Sequence, residues 1–525
     1  MSRVNILGSG LAGLSAAITL AKAGIESNLI SRYSSERAQS VLAEGGINGA
    51  LNTMGEDDDI INHFADTMRS ATDIADKNAV RVLCENAPGI LRFLDSIGVA
   101  FNKQNEKIVQ RNFGGQEKKR TAFARSSTGK ILMSALIDEA RKYECRGLIN
   151  RFPYHEFLKL LIKDGECRGL VVRNTFNYEE ETFAGEVILA FGGMNGMFGD
   201  RTTGTVVNSG DALAKVFMQG VRLGNLEMIQ YHPTTFGITG KRCLISEAAR
   251  GEGGRLCINR RGQLWYFMEE KYPKYKNLMP RDVISREMYF VVKQQGSGTP
   301  VYLDMTGLES HIWKERLGDL RDEIIYYMGL DPAVDLIPVE PGIHYFMGGV
   351  DVDACHRTNI KNLYASGECC DQYHGANRLG GNSMLGAIYG GKVAAEQITK
   401  NRAYEGMADE EIIAGCEGAT DGDRQSASLN LNKSLADTLS DAMGIVRTKM
   451  ILDIGIERIN KLLIEDVNDI ERARLLLGLA IIKSAEFRKE SRGAHYREDY
   501  PKRDESIAGM TVCEMSDDGI IVDYK

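Results

Sequence analysis

Apolar and polar positions along this chain of 525 residues follow two rhythms. Val4-Asn5-Ile6-Leu7 is a short apolar run, the pattern of a buried strand. From Leu14 apolar residues recur at helical spacing until Gly24 supplies a stop. A second strand is predicted over 26–31. Between the first strand and the helix lies Gly8-Ser9-Gly10-Leu11-Ala12-Gly13. Strand, glycine turn, helix is the order a dinucleotide site needs. Gly8 permits the tight turn, Gly10 lets backbone approach a pyrophosphate, and Gly13 lets the helix sit close to the strand. The helix N-terminus then offers free N–H groups to phosphates.

The same rhythms continue downstream. Residues 56–97 read as helices, and 131–142 as another. Strands are predicted over 157–163, 169–172 and 187–190, the last ending in Phe191-Gly192-Gly193. Gly210-Asp211 opens a further helix. Residues 225–340 turn polar and aromatic with many turn residues, which predicts an inserted domain. Strand, glycine and helix resume at 360–368 and 384–400. From 401 onwards no strand stands out, and 425–490 carry the period of a helical bundle. The expected boundaries are 1–224 and 341–400 for the nucleotide domain, 225–340 for the insert and 401–525 for the helical domain. The fold class is α/β, Rossmann-like.

Composition narrows the function. Apolar content of 43% and charged content of 26% are those of a soluble globular protein. A net charge of −8 argues against nucleic acid and anionic membranes as partners. No apolar run reaches membrane-spanning length, and the first strand begins too early to leave room for a signal peptide, so a cytoplasmic protein is expected. The 10 cysteines include no C-x-x-C pair, so neither a disulfide framework nor a metal or iron–sulfur site of this chain's own is expected. Cys369-Cys370 reads as two small residues in a packed turn.

Candidate chemistry gathers in a few stretches: Gln230-Tyr231-His232-Pro233-Thr234, Ser246-Glu247 through Arg250-Gly251-Glu252-Gly253-Gly254, Pro280-Arg281-Asp282, Gly342-Ile343-His344-Tyr345-Phe346-Met347-Gly348-Gly349, and His374 to Ser383. Taken singly, each histidine would more often be structural and each arginine a surface residue. If the stretches converge, the cluster of positive charge calls for an anion, and arginine forks suit a dicarboxylate. Glu247 and Arg250 are three apart and share a helix face. At the end of the second strand stands Ser31, where NAD proteins carry an acid, which weakens an NAD reading.

In this order the H-P-T, E-x-x-R-G-E-G, P-R-D, H-Y-x-M-G-G and H-G-A-N-R-L-G motifs resemble the flavoprotein subunits of fumarate reductase and succinate dehydrogenase, and their relative L-aspartate oxidase. The likeness extends to Arg488 through Pro501. It implies FAD along Gly8, Gly10, Leu11, Ala12 and Gly13, with Ser31 at the ribose and Ala43, Glu44, Gly45 and Gly46 near the isoalloxazine, and with Arg32 and Ser40 also binding the cofactor. Gly192, Asp211, Arg378, Ser383 and Met384 would complete the site, and Glu368 would serve the adenosine-ribose side. The insert becomes a capping domain. His344 and Arg378 would hold one carboxylate of fumarate, His232 and Ser246 the other. Arg281 would donate the proton, fed by a Glu247–Arg250 relay. Covalently flavinylated members carry a histidine where this chain has Gln39, so FAD is expected to be non-covalent. In the family that bond raises the flavin potential enough to oxidise succinate, so its absence favours fumarate reduction. L-aspartate oxidase and reduction of another enoate are the alternatives; Phe113-Gly114-Gly115 and Glu252-Gly253-Gly254 look more like the reductase. An iron–sulfur partner subunit is implied, with membrane association only through partners.

Overall fold

The computed structural model describes residues 3–125, 127–296, 298–404 and 428–525. Five parallel strands form the central sheet in the order Leu363–Ala365, Val187–Leu189, Val4–Leu7, Ser27–Ser31, Ile149–Pro153. Val4–Leu7 lies in the middle and is buried throughout, which suits its three apolar residues; its one polar residue, Asn5, donates to the Ala184 carbonyl at 3.0 Å. The helix Leu11–Lys22 follows it and packs against Asn382–Tyr404, where Ser15 Oγ donates to the Ile388 carbonyl at 2.7 Å. A Cβ on Gly13 would stand 1.9 Å from the Gly8 carbonyl oxygen, so only glycine lets this helix lie so close to its strand. Gly13 is thus a packing residue and does not line the cavity described below, contrary to its expected cofactor contact.

Residues 229–346 build a six-stranded sheet in the order Lys241–Leu244, Ile229–Ile238, Ile337–Phe346, Val301–Asp304, Arg255–Arg260, Gln263–Trp265. It has its own core, including Ile245, Leu256, Phe267, Met288, Leu303 and Ile337. Its strand Ile337–Phe346 runs past the expected boundary at 340. That strand is one continuous element and crosses the expected boundary.

Helices Leu429–Ala442, Lys449–Ile464 and Asp469–Phe487 form the helical region. The expectation of no strand after 401 is corrected by the hairpin Thr511–Ser516 and Gly519–Tyr524, which joins Leu223–Gly224 and Gly349–Val350 in a four-stranded sheet. Cys369 and Cys370 are buried at a short turn, where their thiols donate to backbone carbonyls. Of the cysteines, Cys416 lies outside the described residues. Among the described residues no helix is long and apolar enough to cross a membrane.

Candidate active site

One cavity of about 460 Å³ runs from the first glycine turn to the cap. Ser31, Arg32 and Asp211 line one end, Gly8, Gly10, Leu11, Ala12, Ser40 and Gly192 the middle, and Ala43, Glu44, Gly45, Gly46, Ser383 and Met384 the stretch toward the cap. His232, Ser246, Glu247, Arg281, His344 and Arg378 close the far end. The stretches that carry candidate chemistry therefore do converge. Arg250 lies behind Glu247 and does not reach the cavity.

At that end charge is arranged in a chain. Glu247 Oε2 accepts from Arg281 Nη2 at 2.6 Å and Nε at 3.0 Å. Glu247 Oε1 accepts from Arg250 Nη2 at 3.1 Å and from the Gly114 N–H at 3.0 Å. Arg250 Nη1 donates to the Asn277 carbonyl at 2.8 Å. Burial would raise the Glu247 carboxyl, but the two guanidiniums overcome it and hold the group below the usual carboxylate range. Burial lowers Arg250, with Glu247 opposing. Burial and then Arg281 bring Arg378 down to about 9. Arg378 also lies 4.4 Å from the centre of the Tyr345 ring, whose π face suits a cation.

The two histidines stand together, ring centres 5.1 Å apart. Thr203 Oγ1 fixes His344 Nδ1 at 2.8 Å, and the Thr234 backbone holds His232 Nδ1. Burial first, then the Arg281 charge, pushes both well below the ordinary histidine value, so both are neutral. His232 Nε2 and Arg378 Nε are buried without a hydrogen-bond partner, polar atoms suited to meet an anion.

Glu368 lies elsewhere than expected. It follows the strand Leu363–Ala365, three strands from Ser31, or roughly 14 Å at ordinary strand spacing. Its Oε1 accepts from the Phe346 N–H at 3.2 Å, beside the strand that carries His344. The adenosine-ribose contact is corrected accordingly: Glu368 faces the middle of the cavity, where burial lifts its carboxyl to about 7. Asp211 faces Arg32 at 3.6 Å, at the end where Ser31 lies. Gln39 Oε1 accepts from the Thr205 N–H at 2.6 Å, which ties this side chain to the protein.

Residues 3–384 match the family described as FAD binding domain, and residues 465–525 match that described as fumarate reductase flavoprotein C-term. The chain is 37% identical over 540 residues to the succinate dehydrogenase flavoprotein subunit of Bacillus subtilis, covering 96% of this chain and 92% of the relative. The chain belongs to the succinate dehydrogenase and fumarate reductase flavoprotein family. This flavoprotein is also 33% identical over 533 residues to a fumarate reductase (CoM/CoB) chain of Methanothermobacter marburgensis, covering 95% and 94% of the two chains. A solved E. coli quinol fumarate reductase chain bearing a Glu-to-Gln substitution matches with TM-score 0.89 and 29% identity, over 100% of this chain and 96% of that one. The flavoprotein is an oxidoreductase acting on a CH–CH bond.

The cavity fits FAD. Gly8 and Gly10 line it with bare backbone, having no side chain to intrude. The helix starting at Leu11 presents its first N–H groups at the same place. Four site residues carry no clear sequence signal of their role: Gln230, Thr203, Gly114 and Asn277. Gln230 stands in the same short stretch as His232, yet an amide becomes part of a site only through partners far away in sequence.

Proposed function

We propose that this flavoprotein reduces fumarate to succinate with non-covalent FAD and electrons from an iron–sulfur partner subunit. The observation that carries the reading is the charge at the cap end of the cavity. Arg250, Arg281 and Arg378 bring three positive charges, and among the described residues Glu247 is the one carboxylate hydrogen-bonded to them. The excess of positive charge suits a C4-dicarboxylate dianion.

Bound FAD supplies hydride transfer to one alkene carbon. The chain's own residues do the rest. His344 and Arg378 hold one carboxylate, and His232 and Ser246 the other. These donors stabilise charge as it builds on the substrate. Arg281 gives its proton to the second carbon. Arginine is a poor acid in water, and here it acts in a dry site with Glu247 bonded to two of its nitrogens to return the proton, Arg250 standing behind.

Gln39 supports the direction, since an amide forms no histidyl bond to the flavin. The higher identity to a succinate dehydrogenase relative favours the reverse reaction as a second reading. Potential and electron partner set direction more than fold does, so the reductive direction stands first. Anaerobic turnover with a reduced dye tests it. Fumarate should oxidise the dye, and L-aspartate with oxygen should give no iminoaspartate; the opposite pair of results overturns the proposal. Arg281→Lys should lower turnover by about 10³-fold or more with FAD still bound, within the range a general acid contributes. Denaturing electrophoresis should release all flavin from the polypeptide, and a fluorescent protein band would rule out non-covalent binding.

A further inference from the structure

Gln230 is fully buried near the start of the strand Ile229–Ile238, two residues before His232. Its amide makes four hydrogen bonds. Oε1 accepts from Arg281 Nη1 at 3.1 Å and from Arg378 Nη2 at 2.9 Å. Nε2 donates to Asn377 Oδ1 and to the Arg378 carbonyl, each at 2.8 Å. The orientation of the amide is fixed, because the main-chain carbonyl of Arg378 can only accept. Asn377 is held in turn, its Nδ2 donating to Ser70 Oγ at 3.3 Å.

Two guanidiniums therefore share one neutral oxygen. Their charges repel in a buried site, and the ordinary way to hold such a pair is a carboxylate between them. A carboxylate here would cancel charge that the substrate needs. We infer that Gln230 is a positioning residue: its single amide oxygen keeps Arg281 and Arg378 in register without adding a second carboxylate to Glu247, and so leaves the Arg378 charge for the dicarboxylate. The inference rests on the reading that these two arginines meet the substrate. It adds a reason why an amide, of all acceptors, stands at this position. It also couples the two tasks, since a shift of Arg378 on its carboxylate moves the acceptor of Arg281.

Two variants test it, each in the FAD-bound protein. Gln230→Glu keeps length and acceptor and adds charge. Malonate, a dicarboxylate that cannot be reduced, should bind the oxidised enzyme at least about tenfold more weakly, the cost of roughly one lost charge interaction in a partly screened site. Gln230→Met removes the acceptor at similar volume, and should lower kcat about tenfold or more with a smaller change in KM, as misplaced reacting groups do. A purely structural residue would instead lower flavin content and thermal midpoint in both variants, with the flavin-loaded fraction keeping the parent's malonate affinity. Malonate affinity of Gln230→Glu within twofold of the parent overturns the inference, as does parental kcat in Gln230→Met. Malonate binding needs no proton delivery. If Arg281→Lys keeps its turnover, the proton-donor reading falls while the malonate result still decides the role of Gln230.

Discussion

His232 and His344 show how the site decides protonation. Each is pushed well below the ordinary histidine value by burial first and by Arg281 second. A dicarboxylate brings negative charge between them and the arginines, so binding must raise both values. Raised values in the complex mean that protons are taken up on binding, and affinity should rise as pH falls through the values in the complex toward those of the free protein, by up to about tenfold per pH unit for each histidine. Calorimetry of malonate binding near pH 6.5, in two buffers of different ionisation heat, should show net proton uptake that grows as pH falls. Proton release would contradict the placement of these rings beside the anion. At this scale much was legible in the sequence, since Glu247, His344 and Arg378 stand in short glycine-bordered motifs and Arg281 in Pro280-Arg281-Asp282. Gln230 was not, because its role depends on Arg281, 51 residues away, and Arg378, 148 away. Glu368 was misplaced because sequence does not reveal which side of Val4–Leu7 a later strand takes.

Elements were legible where burial made the pattern strong. Val4–Leu7 and Val187–Leu189 are buried at every position and are apolar but for Asn5. The hairpin after 510 gave a weak contrast: its buried positions include Thr511 and Cys513, and exposed Ile521 faces outward. Its Asp518-Gly519 turn was present in the sequence, but no apolar alternation stood on both sides of it. Glycine spacing is the other legible feature, and it can be tested at the first helix. Gly13→Ala would place a methyl 1.9 Å from the Gly8 carbonyl oxygen, with backbone rather than a flexible side chain in the way. The helix Leu11–Lys22 would have to lift from its strand, at about 2–4 kcal/mol, the upper range for overpacking. Purified Gly13→Ala should carry less flavin and melt lower. Gly24→Ala makes the contrast. It sits at φ +75° with open space around it, so it should cost only about 1 kcal/mol of backbone strain and leave flavin content unchanged.

The parts of the molecule are joined by charge as well as by packing. Glu227 is fully buried just before the strand that carries Gln230 and His232. Its Oε1 accepts from Arg488 Nε at 2.7 Å, beyond the last long helix, and its Oε2 from Thr511 Oγ1 at 2.8 Å in the C-terminal hairpin. Its carbonyl accepts from Arg447 Nη1 at 2.8 Å. Arg488 goes on to Glu490, which also accepts from Arg492 Nε at 2.8 Å. One carboxylate thus ties the end of the helical region and the hairpin to the start of the strand that carries Gln230 and His232. Such a network adds little over an apolar core while intact, yet removing one member strands the others' charge in the interior, at about 3–5 kcal/mol. Glu227→Gln keeps the shape and removes the charge. It should lower the thermal midpoint and speed hydrogen exchange across 511–524, where the hairpin loses its anchor. Because the same residue leads into Gln230 and His232, the apparent affinity for malonate should weaken with it, without loss of the Arg281–Glu247 contact on the cap side. Unchanged exchange in the hairpin, together with an unchanged midpoint, would mean that packing alone joins the helical region to the site.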